Sequence, residues 1–360
     1  MPDTLLDLIK SHIRQQGPMS LGEYMALCLG HPKFGYYMTR DPFGAKGDFI
    51  TAPEISQMFG ELVGVWLADV WMQMGSPSEF ILVECGPGRG TLMEDALRAT
   101  AKVPGFHDAM NLYLMEMSPV LKAAQKAKLE QYGPIWIDDV TQLPSTSPVL
   151  LVANEFLDAL PIRQLRFEKG AWQEVAIGLN ENDTLSQGLK EADLSVVQAL
   201  PQWVQDQKPE GVFECSPAIN QFLKGVNIML KKQKGVALFI DYGYIRSSAG
   251  DSVQALVSHR FENMLDDPGN ADITAHVDFE NIERLAHEGS VSVHGPVTQG
   301  AFLNSLGIGL RAKTLQTKAD PKQADDIESA LNRLTHPNEM GDLFKVIALC
   351  HDDKIKPAGF

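Results

Sequence analysis

The spacing of apolar residues along the chain switches between helical and strand periods, and the order of the switches predicts the fold. Leu5, Leu8, Ile9 and Ile13 form a stripe at helical spacing that stops at Gly17-Pro18. Ser20-Leu-Gly-Glu23 then has the form of a capping box, so residues 3–29 read as two helices. A third helix is expected from about Ser56 to Met74, where Met58, Phe59, Leu62, Val63, Val65, Trp66 and Val70 cover so much of the circumference that it should be well buried. Short apolar runs then alternate with helical stretches. Phe80–Val83, Asn111–Met115, Ile135–Ile137 and Pro148–Ala153 read as strands one to four, with helices over Leu92–Arg98 and Pro119–Tyr132. This rhythm implies an α/β fold with a parallel, doubly wound, Rossmann-like sheet and helices on both faces.

After Pro161 the alternation is interrupted. Arg163–Gly178 reads as a β-hairpin turning at Glu168-Lys169-Gly170, and a polar stretch of undefined structure follows to Lys208. Val236–Ile240, preceded by a helix to about Lys232, is the fifth strand and ends in Asp241-Tyr242-Gly243-Tyr244. Gln254–His259 and Asp342–Cys350 are expected as late strands, the second at the sheet's edge. The layout is then a helical N-terminal cap with a loop (1–75), a first part of the Rossmann-like domain (76–162), a hairpin-containing insertion between strands four and five (163–213), and a second part with substrate-side elements (214–360).

The first strand runs into Glu84-Cys-Gly86-Pro-Gly88-Arg-Gly90, a turn that needs φ > 0 and close backbone approach to a ligand. A dinucleotide site places a pyrophosphate there and wants Gly-x-Gly-x-x-Gly with no anion beside it. Here the third glycine comes one place early and Glu84 faces the turn. A carboxylate repels phosphate and suits the ammonium and sulfonium of S-adenosylmethionine. Ligands of such sheets lie at the carboxyl ends of the strands, which gathers Glu84, Glu116, Asp138 and Asn154-Glu155 at one crevice. Glu116 has the position of the acid that takes both ribose hydroxyls, although an acid beside Ser118-Pro119 also suits a helix start. Asp138 or Asp139 can accept from the adenine amino group.

Charge narrows the partners further. A net charge of −15 opposes nucleic acid and anionic membrane surfaces and tolerates a basic protein partner. Four dispersed cysteines, at 28, 85, 215 and 350, form no Cys-x-x-Cys pair and read as reduced, buried thiols. No apolar run approaches a membrane span, and the acidic N-terminal residues resemble neither a secretory nor an Arg-rich transit signal. The loop around Gly47, Asp48, Phe49 and Thr51 reads equally as a lid over the cofactor or as part of a packed cap.

Seven motifs in fixed order carry a resemblance: Gly47–Ser56, Glu84–Leu92, Glu116-Met-Ser118-Pro119, Asn154–Pro161, Glu214-Cys-Ser-Pro217, Ile240–Tyr244 and His276-Val-Asp-Phe279. From about residue 5 to 349 the chain resembles the MidA-type family of class I S-adenosylmethionine-dependent methyltransferases, which includes a mitochondrial complex I assembly factor that methylates arginine. The resemblance implies a seven-stranded methyltransferase sheet, S-adenosylmethionine as methyl donor, protein arginine as acceptor, a respiratory complex I subunit as partner, and a bacterial cytoplasmic or mitochondrial matrix setting. The absence of a recognisable targeting segment favours the cytoplasm of the two, and a homodimer is compatible.

An arginine acceptor stays protonated at physiological pH, and a carboxylate fork can hold its guanidinium and localise the charge away from the attacking nitrogen. Glu155 is the first choice for that fork, with Asn154 beside it as a catalytic and cofactor contact, and Glu214 or Asp158 as a second arm. Asn154-Glu155 also fits the start of a short helix ended by Pro161. Asp241, Tyr242 and Tyr244 are candidates for the acceptor pocket, Tyr as a face for a cation. His276 and Asp278 could pair as proton acceptors or as metal ligands, but Asp278 suits an N-cap better and no metal is expected. Two other classes remain. One is a non-catalytic assembly factor that keeps the cofactor pocket, and the other is an NAD-dependent oxidoreductase, opposed by Glu84 and the glycine spacing.

Overall fold

The computed structural model describes residues 3–40, 51–257 and 260–360. Its central sheet holds seven strands in one path: β1 (Phe80–Cys85), β2 (Met110–Met115), β3 (Ile135–Ile137), β4 (Val149–Asn154), β5 (Val236–Tyr244), β6 (Ser292–Thr298) and β7 (Phe344–Cys350). Their spatial order is β6-β7-β5-β4-β1-β2-β3, and a two-residue strand, Val277–Asp278, adds to β5. The first five strands pair in parallel. β7 and β6 are antiparallel additions. Every residue of β1 and β4 is buried, because the middle strands of a sheet covered on both faces meet apolar side chains above and below.

Two expectations about the late strands are corrected. Asp342–Cys350 was expected at the edge, but β7 lies between β5 and β6, fully buried. The edge belongs to β6, whose strand pattern is broken by Gly295-Pro296 and a register shift between His294 and Val297; an edge strand tolerates a proline that a central one does not. Gln254–Val257 does not join the central sheet at all. It pairs with Arg260–Glu262 and Asp272–Thr274 in a small separate sheet.

The N-terminal helices are α1 (Leu5–Gln16), α2 (Leu21–Gly30), α3 (Tyr36–Thr39), α4 (Ala52–Ile55) and α5 (Gln57–Gln73). Ser20 and Glu23 form the reciprocal capping box that opens α2. The preceding Met19–Ser20 pairs with Ala171–Leu179 of the insertion, so α1, α2 and the hairpin share one core. In that inserted sheet Glu174 is fully buried and is held by Arg163, whose Nη2 donates to Glu174 Oε2 at 2.7 Å. Leu185–Glu191, within the stretch left undefined by the sequence, adds a further strand to Ala171–Leu179.

On the other side, α5 lies against α6 (Thr91–Thr100), with α7 (Pro119–Leu129) and α8 (Pro217–Gln233) completing the layers near the strand ends. Gly64 sets the α5–α6 approach, since a Cβ there would stand 2.5 Å from the Ala96 carbonyl oxygen. Alanine gains about 1 kcal/mol over glycine in a helix, but overpacking against backbone costs about 1–3 kcal/mol. Gly64→Ala should therefore lower stability in urea unfolding. Gly225→Ala in α8, whose Cβ would meet only Val140 at an ordinary 3.8 Å, should raise it by about 0.5–1 kcal/mol.

Candidate active site

The turn after β1 is built from glycines because its backbone enters the left-handed region at Gly86 (φ 64°), Gly88 (φ 52°) and Gly90 (φ 79°). A Cβ on Gly86 would also lie 2.9 Å from the Phe156 ring. The Gly86 N–H donates to the Met115 carbonyl at 3.0 Å, which ties the turn to the end of β2. Gly90 caps α6 without a side chain, and Thr91 next to it donates to Glu54 Oε1 at 2.5 Å and accepts from Lys128 at 2.7 Å.

Beside this turn lies a cavity of about 680 Å³. Gly86, Gly88, Glu116, Ser118, Asp138, Asp139 and Glu155 line one part of it, and Leu29, Gly30, Tyr37 and Met38 of α2 and α3 line another. A smaller concavity adjoins it across Gly86, Gly88 and Glu155, and is formed by Glu84, Asn154, Thr51 and Glu54. Of the lid residues, Gly47, Asp48 and Phe49 lie outside the described residues. Thr51 is the N-cap of α4, whose first N–H, at Ala52, donates to Glu155 Oε1 at 3.0 Å.

Glu84 is buried, and its Oε2 has no hydrogen-bond partner among the described residues. Burial, with the nearby Glu116 charge, pushes its carboxyl up to about 8. The buried Asn154 Oδ1 on the neighbouring strand is likewise unpartnered among the described residues. Glu116 accepts from the Ser118 N–H at 2.8 Å and from Gln125 Nε2 at 3.1 Å, while burial shifts it upward. Asp138 is exposed and pairs with Lys122 at 3.4 Å, and Asp139 caps the next turn by accepting from the Thr141 N–H at 2.8 Å.

Glu155 ends β4 in the left-handed region (φ 50°), an unusual conformation for a side chain of its size. The short helix that Asn154-Glu155 could have opened does not form, because residues 155–160 turn irregularly instead. The Asp241 carboxylate holds that turn, accepting from the N–H groups of Phe156, Leu157 and Asp158 at 2.9–3.3 Å. Asn154 Nδ2 donates to Glu155 Oε1 at 3.1 Å. Burial raises Glu155 to about 7, with Asp158 adding to the rise, and raises Asp158 to about 6. Tyr242 stands beside Asp158 and packs edge-on with His276, 5.4 Å between centroids.

The expected acceptor-side residues are therefore split. Asp158 and Asp241 stand with Glu155, Asp241 as the support of a turn and not as a wall of the cavity. Glu214, Tyr244 and His276 do not line the main cavity, and they meet instead at a separate concavity of about 500 Å³. Glu214 belongs to the inserted sheet, where it accepts from Gln164 at 2.9 Å and from the Ser252 N–H at 2.9 Å. Asp278 is the N-cap of Phe279–Glu288, accepting from the Asn281 N–H at 3.1 Å. Sequence reasoning missed Gln125, although a lone polar residue between Leu121 and Leu129 on the buried stripe of α7 was a signal. It also missed the role of Ala52, whose backbone carries the contact.

These residues fit S-adenosylmethionine. Two unpartnered buried acceptors suit an α-ammonium, the glycine turn leaves room at the strand end, and Glu116 keeps acceptor capacity for hydroxyl groups. A family model described as S-adenosyl-L-methionine-dependent methyltransferase matches residues 62–297. The chain belongs to this methyltransferase family. S-Adenosylmethionine is accordingly its cofactor, and the oxidoreductase alternative falls away. The methyltransferase is 36% identical to the mitochondrial protein arginine methyltransferase NDUFAF7 homolog of Drosophila melanogaster, over 99% of this chain and 88% of that one. It is 32% identical to the mitochondrial NDUFAF7 of Homo sapiens, over 96% and 82%. The crystal structure of a COG1565 superfamily member from Burkholderia thailandensis, bound to S-adenosyl-homocysteine, superposes with a TM-score of 0.82 at 25% identity, covering 98% of this chain and 92% of that one. The cytoplasmic preference gains no support from relatives named mitochondrial. No helix among the described residues is long and apolar enough to cross a membrane.

The Glu84 carboxyl predicts a pH-dependent affinity. Below about 8 it is protonated in the empty site, and an ammonium needs the carboxylate, so S-adenosylhomocysteine should bind more tightly as pH rises from 6 to 8, by at most about 1.4 kcal/mol per unit. Glu84→Gln should flatten that dependence in calorimetric titrations. Tightening toward low pH would separate Glu84 from the ammonium.

Proposed function

We propose that the methyltransferase modifies arginine side chains of a protein acceptor and that Glu155 is the carboxylate that holds the guanidinium. The observation that carries this reading is the placement of Glu155. It lines both the main cavity and the smaller concavity, and two donors, the Ala52 N–H and Asn154 Nδ2, fix its Oε1. Asp158 and Asp241 add carboxyls at the same strand ends, which a neighbouring cation would hold ionised against the burial that raises them. Such a cluster favours a permanent cation. A lysine would be held in its charged form there, with no lone pair to attack, so the electrostatics select against it. The arginine methyltransferase names of the relatives support the same class, and the family resemblance points to a respiratory complex I protein as acceptor.

When bound, S-adenosylmethionine supplies an electrophilic methyl group on a sulfonium. The chain's residues then have three tasks. Glu84 and Asn154 hold the amino-acid end of the donor, and Glu116 holds its ribose. Glu155 grips the guanidinium so that one nitrogen faces the methyl carbon, and Asp158 is the second acid beside it. Methylation would release one proton from the guanidinium, and the Glu155 carboxylate held against that group would be placed to accept it.

With radiolabelled donor and a cell lysate as acceptor, hydrolysed product should contain methylarginine. Glu155→Gln should keep S-adenosylhomocysteine affinity within about threefold and lose at least about 100-fold in turnover, as for loss of a principal electrostatic contact. Wild-type kcat/KM should rise with pH through about 7. An active Glu155→Gln would remove this residue from the mechanism, and label on residues other than arginine would replace the acceptor class.

A further inference from the structure

Gln125 is completely buried on α7 and makes three hydrogen bonds. Its Nε2 donates one hydrogen to the Gly88 carbonyl at 2.7 Å and the other to Glu116 Oε2 at 3.1 Å. Its Oε1 accepts from Trp136 Nε1 at 2.8 Å, on β3. One side chain thus links the glycine turn, the acid at the end of β2 and the strand beyond it. An indole N–H is only a donor, so it dictates which end of the amide faces it. With Trp136 in place, the amide must present its nitrogen to Gly88 and Glu116. A flipped amide would put its oxygen against a carbonyl and a carboxylate at once.

The effect falls on Glu116. Each carboxylate oxygen already takes one protein donor, Oε1 from the Ser118 N–H and Oε2 from Gln125, and each retains acceptor capacity. Donors fixed on both oxygens leave the carboxylate one orientation in which the remaining lone pairs can meet two adjacent hydroxyls. They also favour its ionised form against the burial that raises it.

We propose that Gln125, with its amide set by Trp136, is the positioning residue that aims Glu116 at the two ribose hydroxyls and so couples recognition of the sugar to the glycine turn. This rests on the reading of Glu116 as the ribose acceptor. A merely structural glutamine would affect all ligands alike, whereas a positioning one acts only through the hydroxyls.

The test is calorimetric titration with S-adenosylhomocysteine and its 2′,3′-dideoxy analogue, on wild type, Gln125→Leu, Trp136→Phe and Glu116→Gln. Wild type should prefer the natural ligand by about 100-fold, as expected for two hydrogen bonds to a charged group. Gln125→Leu should weaken the natural ligand by about tenfold or more and leave the analogue within about threefold, so the preference collapses. Trp136→Phe, which keeps the aromatic packing and removes only the N–H, should do the same in part, and it carries the test if Gln125→Leu does not fold. In turnover the loss should appear in KM for the methyl donor with kcat nearly unchanged. Equal weakening of both ligands in Gln125→Leu or Trp136→Phe overturns the proposal. A wild type indifferent to the hydroxyls, or a Glu116→Gln that keeps the preference, instead overturns the ribose reading of Glu116 and the proposal with it.

Discussion

Three carboxyls at neighbouring strand ends, the buried Glu84 and Glu116 and the half-buried Glu155, are the constraint on which the site depends. Burial disfavours their charged forms and raises all three. A fold made only for stability would place apolar groups there, since replacing buried charge with packed hydrophobic residues is often neutral or favourable. Retaining acids in this position makes sense where a cationic ligand completes them. The donor contributes a sulfonium and an ammonium, and the proposed acceptor a guanidinium, so the ligands supply the positive charge that the fold withholds.

How the acids are held differs among the three. Glu116 has a donor on each oxygen and is fixed in orientation. Glu155 is held on Oε1 by a backbone N–H from a different part of the chain, α4, and by Asn154. Glu84 has an oxygen with no partner among the described residues. Below them the fully buried strands provide a rigid base, and Asp241 fixes the turn that sets Glu155 in its left-handed conformation. Strain of this kind persists only where surrounding contacts determine it.

The N-terminal segment shows how one core serves two purposes. Met19–Ser20 extends the inserted sheet, while α2 and α3 a few residues later wall the main cavity. The insertion between β4 and β5 therefore supports the cavity wall through α1 and α2 rather than contributing the carboxylates. Tyr37 joins this wall to the small sheet by donating to Asp272 at 2.7 Å. The cavity wall is thus tied to an element far away in sequence.

The sequence by itself determined the first five strands of the sheet with the helices between them, the glycine turn and the acids at the strand ends. These are local properties: apolar periodicity fixes element type, φ > 0 demands glycine, and the chain direction of a parallel sheet brings every strand's carboxyl end to one side. The tertiary structure alone decided which acids share a site. Glu214 and His276 lie in motifs as conspicuous as that of Glu155, yet the hydrogen bonds of Glu214 to Gln164 and Ser252 and the packing of His276 on Tyr242 draw them to another concavity. The tertiary structure also placed β7 inside the sheet and β6 at the edge, and it brought Gln125, Trp136 and the Ala52 N–H to the acids. Those are contacts between residues distant along the chain or between backbone atoms that every residue carries; the helical spacing marks Gln125 as a polar residue on a buried stripe but does not name its partners.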